Sequence, residues 1–94
     1  MQPSYRADEP TKVIADHYEQ VVEEETELLD RIRTYEVYLR TLMEQTYRSG
    51  ERYHKLTVED ILTAVFMISI NLRTELLHVQ LEKALLSCQM RQPD

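Results

Sequence analysis

The stretch LTVEDILTAVFMISINL, Leu56 to Leu72, constrains this chain more than any other. Thr57 followed three residues later by Asp60 resembles a capping box, with Asp where Glu or Gln is preferred, and Leu56 and Ile61 take the two positions of a hydrophobic staple. A helix start is predicted there. Inside it, Ile61, Leu62, Ala64, Val65, Phe66, Met67, Ile68, Ile70 and Leu72 leave no continuous polar face. A helix that is apolar all round has to be covered on several sides, which one neighbouring helix cannot do. The segment therefore predicts packing against further helices, including helices of other chains. Its β-branched residues would also suit a buried strand, but the cap, the staple and the Leu-rich run that follows favour a helix.

A single Gly and three Pro in 94 residues point the same way, to long uninterrupted helices in one small all-α domain. Chains this short often need a disulfide, a metal or oligomerisation for stability. Cys88 is the only cysteine, so no internal disulfide can form. A lone thiol and the lack of a signal-peptide pattern make cytoplasmic residence the expectation. The run Ile61 to Leu72 is broken by Thr63, Ser69 and Asn71 and is short of the roughly 20 apolar residues of a bilayer span. Membrane insertion is not expected. A net charge of −6 disfavours general attraction to nucleic acid.

Residues 1–9 show no apolar periodicity and read as a flexible arm, with Pro10 suited to a first helical turn. From there a seam runs at alternating steps of four and three through Ile14, Tyr18, Val21, Glu25, Leu28, Ile32, Tyr35, Leu39, Leu42 and Thr46. Ala15, Val22, Leu29 and Met43 widen it into a broad sticky face. Glu27 with Arg31, Glu36 with Arg40, and Glu44 with Arg48 stand at i,i+4, acid before base, and support one continuous helix. This first helix is expected over about 10–49 and the second over about 58–89, within a single hairpin domain of residues 10–92. On the second helix Val58, Val65, Leu72, Val79 and Leu86 repeat every seven residues, while Leu77, Leu81, Ala84, Leu85 and Cys88 form another stripe. Two stripes imply two contact surfaces.

Chemistry-bearing patterns are sparse. Glu51 with His54 and Glu75 with His78 form two Glu-x-x-His pairs, a spacing that puts both ligands on one helical face and resembles part of the di-metal site of ferritin-like bundles. The resemblance stops at those four residues, and the reading preferred here is ordinary helix-surface residues with no bound metal or other cofactor. Glu25, the only acid on the first seam, reads as a register-setting residue paired with Arg across a helix interface. Cys88 lies ten residues from His78 on one helix, so a small core residue is expected rather than a nucleophile. One glycine excludes a Gly-rich phosphate loop and one cysteine excludes a paired-Cys zinc site. Tyr35, Tyr38, Tyr47 and Tyr53 interleave with basic residues in a manner that could stack on bases, but the acidic total and the missing nucleic-acid motif weigh against it.

Charge divides the first helix. Asp8 to Asp30 carries nine acidic residues and one basic, whereas Arg31 to Lys55 carries six basic and three acidic. Antiparallel copies would set unlike halves together.

The sequence thus predicts an all-α antiparallel two-helix hairpin that assembles with further helices into a helical bundle or coiled coil, and it predicts binding rather than catalysis. The expected role is a structural or adaptor subunit of a homo- or hetero-oligomer, with a helical protein partner and no small-molecule substrate. The anchors expected for that partner are Val58, Ile61, Val65, Phe66, Ile68, Leu72, Leu76 and Val79 on the second helix and Leu28, Ile32 and Leu39 on the first. The alternative is a small helical chaperone or regulator that shields a client helix. In general look the chain is similar to the small acidic helical chaperones of bacterial secretion systems, although no motif carries that match. A ferritin-like metal protein is the third class.

Overall fold

The computed structural model describes the backbone of residues 3–91 and side chains from Lys12 onward. Helix α1 runs from Pro3 to Ser49, a single 3-10 turn covers Gly50–Arg52, and helix α2 runs from Lys55 to Arg91. The two long helices pack antiparallel as an all-α hairpin.

Both helices begin earlier than expected. Helix α1 begins at Pro3, so Pro3 takes the first-turn position assigned to Pro10, and most of the expected arm is helical. Pro10 thus falls inside α1, where it has no amide to donate to the Arg6 carbonyl; absence of apolar periodicity does not by itself stop a helix. Met1, Gln2 and Gln92–Asp94 lie outside the described residues.

Helix α2 starts one turn before the expected capping box. The chain leaves the 3-10 turn extended at Tyr53, with φ −115° and ψ 152°. The His54 carbonyl then accepts the first intrahelical bond, from the Val58 amide at 3.1 Å. The Thr57 amide donates to His54 Nδ1 at 3.3 Å, and Thr57 Oγ1 lies 2.9 Å from the same nitrogen. His54 is therefore the N-cap, and Thr57 is its N3 partner rather than the cap itself. The staple positions pass from Leu56 and Ile61 to Tyr53 and Val58, which line one pocket at the closed end of the hairpin.

The expected α1 seam is the one the structure buries. Val21, Leu28 and Ile32 are buried, and Ile14, Tyr18, Glu25, Tyr35, Leu39, Leu42 and Thr46 are half-buried. Facing it, α2 presents Val58, Leu62, Val65, Ser69, Leu72, Leu76, Val79, Lys83 and Leu86, again at alternating steps of four and three. Leu28, Ile32 and Leu72 form the central cluster, with Tyr35, Leu76 and Val79 packed against it. Matching 4-3 patterns on both helices are what knobs-into-holes packing requires.

The result is long and thin, 77 × 16 × 14 Å, with a radius of gyration of 21.4 Å. A compact domain of this length has about 12 Å. Its accessible surface is 7923 Å², against about 5,700 Å² for an ordinary folded monomer of 11.2 kDa.

Candidate partner-binding surface

The back of α2 carries a continuous exposed row that is mainly apolar. Thr63, Met67, Ile70, Thr74, Leu77, Leu81, Ala84 and Cys88 repeat at steps of four and three, and every one of them is exposed. They form a second seam on the side of α2 turned away from α1, because the first seam already occupies the opposite rows of the helix. Its large members, Met67, Ile70, Leu77 and Leu81, are between 38% and 64% exposed. Leu85 and Phe66 border it, also uncovered.

Cross-helix ion pairs show how this seam sits relative to α1. Arg73 Nη2 donates to Glu36 Oε2. Glu36 stands seven residues from Leu29 and from Met43, and Arg73 stands seven from Phe66, so these apolar side chains share one side of the hairpin. On the other side His17 Nε2 lies 3.0 Å from Glu82, in rows that hold Arg31, Tyr38 and Glu75. The apolar back seam therefore continues toward Leu29 and Met43 on one edge, and on the other it meets rows that are polar near the open end and carry the exposed Ile61 and Ile68 nearer the turn.

The expected anchors divide between these surfaces. Val58, Val65, Leu72, Leu76 and Val79, with Leu28, Ile32 and Leu39, are engaged in the seam within the chain, whereas Ile61, Phe66 and Ile68 remain exposed. The sequence marked Leu77, Leu81, Ala84, Leu85 and Cys88 as a second stripe, and all five of its residues are exposed. Cys88 is a free, exposed thiol and not the core residue expected.

Glu25 does hold a polar seam position, but its partner is lysine. Lys83 Nζ donates to Glu25 Oε1 at 2.7 Å and Gln80 Nε2 donates to Oε2 at 3.1 Å. The Lys83 and Gln80 hydrogen bonds hold the Glu25 carboxyl below its ordinary range, against the opposing effect of burial. The hydrogen bond to Glu25 likewise raises Lys83. None of the expected i,i+4 ion pairs closes among the described residues; the pair within α1 is Arg33 with Asp30, at 3.2 Å, and Glu36 turns instead to Arg73.

The two Glu-x-x-His pairs are not brought together. Glu51 lies in the 3-10 turn, the His54 ring is occupied in capping α2, and Glu75 and His78 are exposed on α2. From His54 to His78 the helical rise is about 36 Å. Among the described residues no three His, Cys, Asp or Glu side chains are grouped to hold a metal ion. The pocket at the closed end, about 340 Å³, is lined mainly by Leu42, Val58, Ile61 and Leu62, with Gln45 Nε2 donating to Tyr53 Oη at 3.0 Å on its rim. His54 and Thr57 also line it, with Thr57 Oγ1 2.9 Å from His54 Nδ1, and the same nitrogen accepts from the Thr57 amide in capping α2. Tyr35 packs in the seam. Among the described residues no helix is long and apolar enough to cross a membrane.

No protein-family model, curated protein or solved structure matches this chain.

Proposed function

We propose that this protein is a non-catalytic interaction subunit that joins a homo- or hetero-oligomeric helical assembly through the back of α2. The uncovered 4-3 seam from Thr63 to Cys88 carries the reading. A coiled-coil repeat facing solvent along a helix whose other side already holds a partner is suited to a second helix. The surplus of roughly 2,200 Å² over a compact monomer is of the size that obligate interfaces bury. An exposed thiol within that seam fits a reducing compartment such as the cytoplasm.

The test is to purify tagged chain from its native cells beside the double variant Leu77→Glu/Leu81→Glu, and compare the native masses of what is recovered. A stoichiometric assembly with the wild type and its loss with the variant is the expected result. Recovery of the same assembly with both would overturn the reading.

A further inference from the structure

Resting on that reading, we propose that the occupant of the α2 back seam is one helix of a different protein, about 37 Å long, with apolar facing residues and uncharged flanks. The placement of charge on α2 points to it. Between Ile61 and Cys88 the helix carries four Asp, Glu, Lys or Arg residues, namely Arg73, Glu75, Glu82 and Lys83. Three of them are turned to α1, Arg73 to Glu36, Lys83 to Glu25 and Glu82 to His17. The fourth, Glu75, stands seven residues from Glu82 in the row on the His17 side of the hairpin. The rows that border the back seam are left with Ala64, Asn71 and Leu85 along one edge and with Phe66, Gln80 and Ser87 along the other, beside the already paired Arg73. A partner helix with acids or bases at its flanks would desolvate them there without meeting a counter-charge, so the surface discriminates against it. A partner with uncharged flanks carries no such cost.

The sizes along the seam favour another protein over a second copy. Met67, Ile70, Leu77 and Leu81 are large, whereas Thr63, Thr74, Ala84 and Cys88 are small. Laid antiparallel over its full length on another α2, the seam would set Thr63 on Cys88 and Ile70 on Leu81, one layer underfilled and another overfilled. Laid parallel in register, it would stack small on small and large on large throughout. The α1 of a second copy brings exposed Glu19, Glu23, Arg33 and Arg40, the charged flanks that this surface does not match. Facing small side chains with large ones is what an interdigitated core requires. The partner helix accordingly sets large apolar residues opposite Thr63, Thr74 and Ala84, and smaller ones opposite Leu77 and Leu81.

The test separates the sign of an added charge from its mere presence. Tagged Asn71→Asp, Asn71→Lys, Leu85→Glu and Leu85→Lys are purified from native cells beside wild type and Leu85→Gln, the uncharged references. Native mass spectrometry gives the mass of the second chain and the amount bound per tagged chain, and circular dichroism of each variant made alone checks that the hairpin is retained. We expect a second chain whose mass differs from 11.2 kDa, bound about tenfold less with either sign at both positions. The wild-type assembly should persist from about 0.1 to about 1 M NaCl, a range that screens ion pairs. Loss with one sign only, or release by salt, shows a charged partner and overturns the proposal. So does undiminished binding by all four charged variants, which would put the flanks outside the interface. An assembly made only of this chain overturns the different protein. The interaction reading falls separately, only if the Leu77→Glu/Leu81→Glu comparison shows no loss of assembly.

Discussion

Glu25 and Lys83, 58 positions apart in the chain, meet across the helix seam at 2.7 Å, with the Glu25 side chain only 13% exposed. This is the polar rung that fixes which residues of α1 lie opposite which residues of α2. A slip by one heptad would leave a carboxylate and an ammonium facing apolar rows, a costly arrangement for partly buried charges.

Stability should follow the titration of both groups. Glu25 binds its proton more weakly in the folded chain than at its ordinary value of 4.5, so its contribution is complete above that value and is lost as pH falls through the lower folded value. Lys83 holds its proton more tightly than at 10.5, so its contribution is complete below that value and is lost as pH rises through the higher folded value. Thermal melts of wild type and Glu25→Gln should differ most between pH 6 and 8 and converge in acid. Curves that stay parallel down to the lowest pH would remove the rung.

Leu72 and Leu77 should behave differently although both are leucines on one helix. Leu72 is 3% exposed in the central cluster and Leu77 is 64% exposed. Leu72→Ala should destabilise the fold by about 2–5 kcal/mol at every protein concentration, the range for deleting a buried leucine. Leu77→Ala should act through association, so its effect should shrink on dilution. Urea unfolding of the assembly at two concentrations tenfold apart separates the two.

The cap of α2 belongs to His54. Replacing it by Ala should cost about 0.5–2 kcal/mol, while Asn or Asp, which also accept from the Thr57 amide, should match or exceed wild type. Thr57→Ala, which keeps the amide bond to the ring, should cost less than His54→Ala. The melting temperatures of the four variants decide the order, and a Thr57 effect larger than that of His54 would return the cap to Thr57.

Gly50 has no positive φ, and a Cβ there would meet only Thr46 Cγ2, at an ordinary 3.5 Å. Gly50→Ala should therefore stabilise the hairpin by about 0.4–1 kcal/mol through loss of freedom in the unfolded chain. A lower melting temperature would show that the turn does need glycine.

Much of this architecture is written in local pattern. The α1 seam from Ile14 to Thr46, the Val58 to Leu86 row, the break at Ser49 and Gly50, and the surplus of apolar surface on the second helix all follow from spacings of three, four and seven, because helix geometry turns those spacings into shared faces. What the sequence by itself did not determine is which side of α2 faces α1. That helix carries two 4-3 seams, the inner one interrupted by Ser69 and Lys83 and the outer one by Thr63 and Thr74, so the spacing of apolar residues alone did not choose between them. The tertiary structure decided by bringing Glu25 to Lys83 and Gln80, and Glu36 to Arg73, across the hairpin. Those pairings join residues tens of positions apart, and their energy exists only once the chain has turned back on itself. The same holds for the cap, where the extended backbone at Tyr53 puts the His54 ring against the Thr57 amide, and for Cys88, whose exposure follows from the inner seam having been filled by other residues.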